Sequence, residues 1–443
     1  MPKRITQFYH RLDGHTKEVI SGASSALILR ILGAILSFAL SVVLGRLLGA
    51  SGVGLYFLAL SVVTVATVLG RVGLDNTLLR FTSASASSGD WVAVKGLFVK
   101  SIRYTVVASS LMAILLVVIA PWLSQTLFDN PALTETLRLM AFGIVPTAIF
   151  TIVAQMLQGL KRTRDGIAIL SVWAPSFCLA GAITLVPTQG VQGAALSYAI
   201  ASVLTVMIAW WRWYKVTPQT EGILGSFSTK KLLRTSVPLF WVALFQLVIT
   251  FSSTVILGMW STSADVGIYG AASRLVVLLN FIALAVTSIA APKFSAMHQQ
   301  GDMPALSALA KSSTKLLMLA ASPAFAILFL VPEKVMGIFG NEFASGARVI
   351  VILAAGQLVN IITGPTGNLL MMCGYERLVR NTLAASAFLC MGVSLLLIPQ
   401  MGAVGAATAL AITVSLENLI LVTLVWRKLG IMTIPIPFLD LRK

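Results

Sequence analysis

Charged residues are scarce in this chain: they make up 11% of its 443 residues, whereas hydrophobic residues make up 57%. Soluble domains carry about 25% charged residues, so the composition excludes a soluble class. Acidic residues are the rarer kind, 15 against 32 Lys and Arg. The resulting net charge of +17 is typical of nucleic-acid binding, but its distribution along the chain is not. We therefore expect membrane lipids as partners and no nucleic acid.

Residues that build metal and catalytic sites are also scarce. The three cysteines lack ligand spacing, and the three histidines fall on one predicted side of the membrane. No Gly-x-x-x-x-Gly-Lys-Ser/Thr phosphate loop occurs, which argues against ATP as a direct energy source. The predicted outward loops are too short for a membrane-embedded polymerase or ligase. We therefore expect no metal, no cofactor, no catalytic residue and no enzyme activity.

Long apolar runs are what the sequence has instead. A bilayer-spanning helix needs about 20 mostly apolar residues, and twelve such runs are present. Their approximate spans are 20–44, 52–78, 104–123, 137–158, 166–187, 190–211, 236–259, 264–290, 314–332, 346–371, 379–399 and 401–426. Backbone N–H and C=O groups in lipid must form their hydrogen bonds within the protein, which favours helices over open sheets. The sequence predicts an all-α integral membrane protein with about 12 transmembrane helices.

Internal repeats divide these helices into two sets. Residues 53–56 (Val-Gly-Leu-Tyr) recur as residues 266–269 (Val-Gly-Ile-Tyr), at an offset of 213. A longer motif that begins at Leu185 recurs from Leu397, at an offset of 212. A weaker echo pairs residues 159–162 with residues 374–377, at an offset of 215. An even number of helices per repeat keeps both halves in one orientation, so we predict two parallel six-helix lobes.

The repeat sets the predicted domain boundaries. Residues 1–19 form an N-terminal tail and residues 20–211 an N-lobe of helices 1–6. Residues 212–235, with Pro218, Gly222, Gly225 and several Ser and Thr, form a linker. Residues 236–426 form a C-lobe of helices 7–12, and residues 427–443 form a C-terminal tail.

The positive charges indicate the orientation. Of the 32 Lys and Arg residues, 25 fall in the two tails and in the loops on the same side as the tails. Four fall on the opposite side and three lie inside helices. This asymmetry follows the positive-inside rule, so we predict that both termini are cytoplasmic.

Three motifs resemble those of a known family. Residues 45–50 read Gly-Arg-Leu-Leu-Gly-Ala, and residues 53–61 read Val-Gly-Leu-Tyr-Phe-Leu-Ala-Leu-Ser. Together they resemble the first outward loop of the polysaccharide transporters, which include the O-antigen flippases. Residues 30–33 (Arg-Ile-Leu-Gly) and 266–274 resemble that family's first-helix and second-half motifs. The family belongs to the multidrug/oligosaccharidyl-lipid/polysaccharide flippase superfamily.

The resemblance implies a fold, an activity and partners. The implied fold is the two-lobe architecture of the multidrug and toxin extrusion transporters. The implied activity moves an undecaprenyl-diphosphate-linked oligosaccharide, such as an O-antigen or exopolysaccharide repeat unit, to the periplasmic leaflet by alternating access. The implied location is the bacterial inner membrane, with a polysaccharide polymerase and chain-length machinery as partners. A multidrug or cation antiporter of the same superfamily is the alternative.

Five ionisable residues in or beside the predicted helices are candidates for binding or gating, because charge at membrane depth is costly. Arg30 in helix 1 and Arg274 in helix 8 could hold an anionic diphosphate headgroup between the lobes; a structural arginine bonded to helix carbonyls is the alternative. Arg46 at the outer end of helix 1 is an outer-end contact or an interface anchor. Arg71 and Asp75, spaced i, i+4, form a structural pair or a cytoplasmic gate.

Glu417 is the one acidic residue deep in a predicted helix, in helix 12. Burial would favour its protonated form, so it could couple H⁺ or Na⁺ movement to the conformational cycle. A carboxyl paired with an arginine or held neutral by hydrogen bonds is the alternative. Polar residues at membrane depth predict a wet cavity that can pass sugars, although interhelical hydrogen bonding explains them as well. They are Gln155, Gln246, Asn280, Gln357 and Asn360.

Overall fold

A computed structural model describes the backbone of residues 14–434 and the side chains from residue 25 onward. Parts of both predicted tails, residues 1–13 and 435–443, lie outside the described residues. The described part of the chain is helical throughout, with short connections and no strand.

Three of the long helical elements are hairpins. As one straight helix, Gly14–Gly70 would be about 85 Å long at ~1.5 Å per residue, far more than the ~30 Å hydrocarbon core of a bilayer. Its backbone leaves the helical conformation at Gly49 (φ 67°), where the chain reverses. Gly190 (φ 56°) and Gly402 (φ 54°), 212 residues apart, interrupt two further elements in the same way. Glycine adopts this left-handed region without steric cost.

With the hairpins separated, the described residues contain twelve spans, and the predicted fold class is confirmed. Eight helices are long and apolar enough to cross a membrane, and a ninth span is the pair Leu133–Ala141 and Ile144–Gly159, bent by 43°. We number the spans α1 14–48, α2 50–70, α3 Trp91–Trp122, α4 Ile144–Gly159, α5 163–189, α6 191–216, α7 Thr229–Trp260, α8 Ser263–Gln299, α9 Met303–Leu330, α10 Ala347–Thr363, α11 376–401 and α12 403–429.

The spans define two faces of the molecule. The terminus face carries the start of α1 and the end of α12. The hairpin face carries Gly49, Gly190 and Gly402. The connection between α6 and α7 covers residues 217–228, shorter than the predicted linker, and lies on the terminus face. The end of this connection is held by Lys100 of α3, whose Nζ donates a hydrogen bond to the carbonyl oxygen of Phe227, at 2.6 Å.

Large apolar side chains cover the outer surface of the bundle. Ile35, Val118, Phe142, Leu319 and Phe388 are each more than half exposed. A soluble protein rarely exposes apolar surface on this scale, whereas in a bilayer these side chains contact lipid tails. The surface therefore agrees with a multi-pass membrane protein.

The repeated Val-Gly-x-Tyr motifs pack against each other where α2 crosses α8. A Cβ atom built on Gly54 would overlap the carbonyl oxygen of Ser263 and lie 2.9 Å from the backbone nitrogen of Gly267. A Cβ atom built on Gly267 would overlap the carbonyl oxygen of Ala50 and lie 3.1 Å from the nitrogen of Gly54. The glycines are thus required by the close approach of the two lobes.

The tyrosines of the same motifs are linked to equivalent cysteines, directly in the N-lobe and through a serine in the C-lobe. The hydroxyl of Tyr56 lies 3.8 Å from Sγ of Cys178. Tyr269 is hydrogen bonded to Ser253, whose hydroxyl lies 3.8 Å from Sγ of Cys390. The two cysteines are 212 residues apart and both are buried, so they belong to the repeated packing of each lobe.

The predicted alignment of the weaker repeat, residues 159–162 with residues 374–377, is out of register by two residues. The turn that ends α4 and the turn that ends Thr366–Met372 have one geometry, with Lys161 (φ 61°) and Gly374 (φ 86°) in the left-handed region. In both turns the next residue donates its backbone N–H to the preceding helix. The equivalent residues are therefore 213 apart, and the predicted offset of 215 is wrong here. A non-glycine residue in this conformation costs about 1–3 kcal/mol.

Candidate functional site between the lobes

A cavity of about 490 Å³ lies between the two lobes. Arg30 of α1 and Arg274 of α8 both line it, so the two predicted headgroup ligands face one space. The wall on the hairpin-face side includes Phe38, whose ring packs edge to face on Phe339, with centroids 5.6 Å apart. From there the cavity extends toward the terminus face at Gln158, near the end of α4. We call it the arginine cavity.

Arg274 is held in place from the opposite lobe. Its Cζ atom lies 3.4 Å from the centroid of the Phe57 ring of α2, and Phe57 is buried. A guanidinium over an aromatic face is attracted by the ring quadrupole, more strongly where water is excluded. Nη1 of Arg274 donates to the carbonyl oxygen of Gly270, at 3.0 Å. The plane of the guanidinium is therefore fixed before any ligand binds.

Arg30 is exposed toward the cavity. Its guanidinium has no hydrogen bond or ion pair with any residue that the structure describes. One turn further on, Gly33 allows α1 to pack closely on the π-helical turn Ile169–Trp173, since a Cβ atom there would lie 2.6 Å from Cβ of Ser171. An arginine without a partner at membrane depth is costly, and an anionic ligand would lower that cost.

A second cavity, of about 470 Å³, lies within the C-lobe and is lined by side-chain amides. Four of the five predicted polar residues, Gln246, Asn280, Gln357 and Asn360, line this amide cavity. The fifth, Gln155, lines the arginine cavity. In the amide cavity Gln357 donates from Nε2 to Oδ1 of Asn280. Leu284 of α8 lines both cavities, so α8 separates them.

Glu417 lines the amide cavity from α12. It is hydrogen bonded to Ser386 of the neighbouring α11. The adjacent Asn418 receives a hydrogen bond from Oγ1 of Thr363, at 3.4 Å. The result is one carboxylate among amide and hydroxyl oxygens, a set that suits a proton or a hard cation such as Na⁺. Among the described residues, no three His, Cys, Asp or Glu side chains cluster in a way that could hold a metal ion.

The two lobes are joined at the hairpin face. Nε of Arg46 donates to the carbonyl oxygen of Ile338, at 3.0 Å. The backbone nitrogen of Ala50 donates to Oε2 of Glu342, at 2.9 Å. Arg46 therefore connects the lobes at the hairpin-face end of α1 and is not among the residues that line the arginine cavity. Closure at this face separates the arginine cavity from one side of the membrane.

Arg71 and Asp75 form an ion pair, with Nη2 3.4 Å from Oδ2. The prediction placed both residues on one helix. In the structure the chain instead turns between them, at Val72 and Gly73. The turn rests on the start of α7: a Cβ atom on Gly73 would lie 2.7 Å from the backbone nitrogen of Phe240. The pair thus stabilises a bend beside a contact between the lobes at the terminus face. Its gating role stays a prediction.

Sequence reasoning missed two contributors. Phe57 is one apolar residue among many in α2, and nothing in the pattern marks it as the partner of Arg274. Glu342 lies in a short loop helix, Asn341–Gly346, outside the predicted spans. Glu342 is one of two acidic residues, with Glu333, in the predicted outward loop 333–345, and this was the available signal for its contact with the backbone of Ala50.

A family model described as "Polysaccharide biosynthesis protein" matches residues 19–298, more than half of the chain. The "Probable low-salt glycan biosynthesis flippase Agl15" of Haloferax volcanii is 23% identical over 404 residues, covering 89% of this chain and 80% of that protein.

Two solved structures have the same fold. An inward-facing multidrug resistance MATE family transporter of the MOP superfamily superimposes with a TM-score of 0.72 at 14% identity, covering 91% of this chain and 98% of that one. The lipid II flippase MurJ, in an inward closed conformation, superimposes with a TM-score of 0.71 at 13% identity, covering 92% and 87% of the two chains.

Proposed function

This chain belongs to the polysaccharide biosynthesis protein family, and from that premise we propose that it flips a lipid-linked oligosaccharide across the membrane by alternating access. The proposed cargo is an undecaprenyl-diphosphate-linked repeat unit of an O-antigen or exopolysaccharide. The proposed location is the inner membrane of a bacterium, with both termini cytoplasmic and transfer directed to the periplasmic leaflet. A polysaccharide polymerase and its chain-length machinery are the proposed downstream partners.

The observation that carries this proposal is the arginine cavity. It brings one guanidinium from each lobe to a single space, and the space is closed at the hairpin face. Guanidinium groups bind phosphate oxygens in a bidentate way, and a diphosphate offers enough oxygens for two of them. A ligand held by both lobes is released when the lobes separate, so binding and the conformational cycle are linked.

The alternative cargo, a cationic drug, has weaker support. A cation held away from water needs a carboxylate nearby, and no aspartate or glutamate is among the described residues that line the arginine cavity. The relevant acidic side chain, Glu417, lines the separate amide cavity. Electrostatics therefore favours an anionic cargo in the space between the lobes.

Leaflet accessibility of the glycan tests the function. In proteoliposomes that contain a fluorescent polyprenyl-diphosphate-linked oligosaccharide, a membrane-impermeant glycosidase cleaves only the outer-leaflet pool. We expect the purified protein to make the inner-leaflet pool accessible, and protein-free vesicles to keep it protected. Vesicles that contain the protein and still protect that pool under an imposed proton gradient, and under a sodium gradient, would contradict the proposal.

Ion coupling is the second part of the proposal, and Glu417 is its candidate. Its carboxyl sits among neutral oxygen ligands in the C-lobe, where binding of H⁺ or Na⁺ would change the charge of the cavity. We expect Glu417→Gln, which is neutral at all pH values, to lose the acceleration of flipping by an imposed ion gradient while gradient-free equilibration continues. The measurement is the ratio of flipping rates with and without each gradient.

Glu417→Asp is the matched variant, since it keeps the carboxylate and should keep part of the acceleration. If the Gln variant responds to both gradients as the wild type does, Glu417 is a structural hydrogen-bonding residue and the coupling site lies elsewhere.

A further inference from the structure

A third cavity, of about 310 Å³, lies in the N-lobe at the terminus face, away from the two cavities already described. Four stretches of chain enclose it: the end of the helix Leu74–Ser87, the start of α3, the turn between α4 and α5, and the end of α6. Close packing shapes one wall, since a Cβ atom on Gly159 would lie 2.9 Å from the carbonyl oxygen of Leu79. We call it the basic pocket.

Two adjacent cations and two hydroxyl groups line the basic pocket. Lys161 and Arg162 belong to the turn after α4, and Ser83 and Ser87 belong to the facing helix. Trp91, at the start of α3, completes the lining on that side. Neither cationic side chain has a hydrogen bond or ion pair with another described residue.

The balance of charge in the basic pocket is one-sided. No carboxylate is among the described residues that line it. The acidic residue of the adjoining turn, Asp165, is paired with Arg212 of α6. An anion in the pocket would therefore meet two free cations and little repulsion.

The backbone of Lys161 is a second, independent observation. This residue occupies a left-handed position, φ 61°, that its equivalent in the other lobe fills with Gly374, φ 86°. The fold thus requires that conformation in both lobes, but glycine adopts it without strain. Strained backbone of this kind concentrates at functional sites. The residue after Gly374 is Tyr375, so the C-lobe turn carries neither cation.

We propose that the basic pocket binds the phosphate of an anionic lipid headgroup. Arg162 supplies a planar fork that matches phosphate oxygens, and Lys161 supplies a compact charge. The hydroxyl of Ser83 can donate a further hydrogen bond, whereas that of Ser87 donates to the carbonyl oxygen of Ala84. The indole of Trp91 suits the boundary between headgroups and acyl chains. This site does not depend on the proposed cargo, since it lies in one lobe and outside the arginine cavity.

Lipid selectivity of the purified protein tests the proposal. The probe is phosphatidylglycerol, compared with phosphatidylcholine, added to delipidated protein in detergent and followed by native mass spectrometry. We expect the wild type to bind phosphatidylglycerol preferentially, and Lys161→Gly and Arg162→Gln each to weaken that binding about tenfold or more, because each removes a charge-assisted hydrogen bond. Lys230→Gln, which removes an exposed charge on the same face outside the pocket, is the matched control and should bind as the wild type does.

Thermal unfolding separates lipid binding from a purely structural role. Lys161→Gly removes the backbone strain, so its melting temperature without lipid should equal or exceed that of the wild type, while the stabilisation by phosphatidylglycerol is lost. Inorganic phosphate at millimolar concentration forms a second arm. Equal binding of the two lipids by the wild type, undiminished phosphatidylglycerol binding by both pocket variants, or stabilisation by inorganic phosphate without any lipid preference would each overturn the proposal.

Discussion

Arg274→Ala is expected to lower the rate of lipid-linked glycan flipping by about 100-fold or more. A guanidinium bound to a phosphate forms two charge-assisted hydrogen bonds, each contributing about 1.5–3 kcal/mol, and every ~1.4 kcal/mol is a factor of ten. Arg274 is already oriented by Phe57 and by the carbonyl oxygen of Gly270, so little entropy is lost on binding. Arg274→Lys keeps the charge without the fork and should retain part of the activity. The measurement is the initial rate of glycan transfer in proteoliposomes with equal amounts of reconstituted protein.

Three further variants separate the headgroup role of Arg274 from a structural one. Arg30→Ala should also reduce flipping strongly, because Arg30 reaches the same cavity from the other lobe. Phe57→Leu removes the stacking partner and should have a smaller effect. Arg138→Ala removes an exposed arginine outside the cavity and should leave flipping unchanged. Wild-type flipping rates in both Arg274→Ala and Arg30→Ala would refute headgroup binding. A loss of flipping in Phe57→Leu equal to that in Arg274→Ala would show that Arg274 acts by holding the lobes together.

A disulfide across the hairpin face is expected to stop transport almost completely and reversibly. A Cβ atom built on Gly45 of α1 would lie 3.0 Å from Cβ of Phe339, and disulfides join Cβ atoms about 3.5–4.5 Å apart. A small separation of the two backbones is therefore enough to form the bond in the double variant Gly45→Cys/Phe339→Cys. Cross-linking holds the lobes together at this face, so alternating access cannot proceed. Flipping is measured after oxidation and again after reduction.

The single variants Gly45→Cys and Phe339→Cys serve as controls, because each alters the packing without allowing the cross-link. The three native cysteines are all buried, which limits competing disulfides. Full activity of the oxidised double variant, with the cross-link verified by mass spectrometry, would show that the hairpin face does not open during transport.

The apolar runs predicted the number of spans because each run must cross the same thickness of lipid. They did not predict where the helices begin and end, because a helix continues beyond the hydrocarbon core of the bilayer as long as its residues favour the helical conformation. α3 begins at Trp91, well before the predicted residue 104. Its first turns carry Lys95 and Lys100, which interrupt the apolar run without interrupting the helix. Conversely, the run 346–371 is broken after Thr363, where Gly364 (φ 77°) precedes Pro365.

The candidate site was predictable in its residues but not in its arrangement. Arg30 and Arg274 stand out because charge is costly in lipid, and that signal is local to each helix. Whether they face one cavity depends on how two lobes pack, which involves contacts between residues more than 200 positions apart. The partner of Arg274, Phe57, is apolar and buried like its neighbours, so only the three-dimensional structure distinguishes it.

The crossing of α2 and α8 has the reciprocity of an isologous homodimer interface within one chain. Gly54 meets residue 263, which the offset of 213 makes the counterpart of Ala50, and Gly267 meets Ala50 itself. In a true homodimer every substitution appears in both subunits. In this chain a substitution in one half is not copied in the other. Arg274 therefore faces the interface without a copy of itself, and its counterpart in the N-lobe is Ser61. Fusion of the two halves thus allows a symmetric scaffold to enclose an electrically asymmetric cavity.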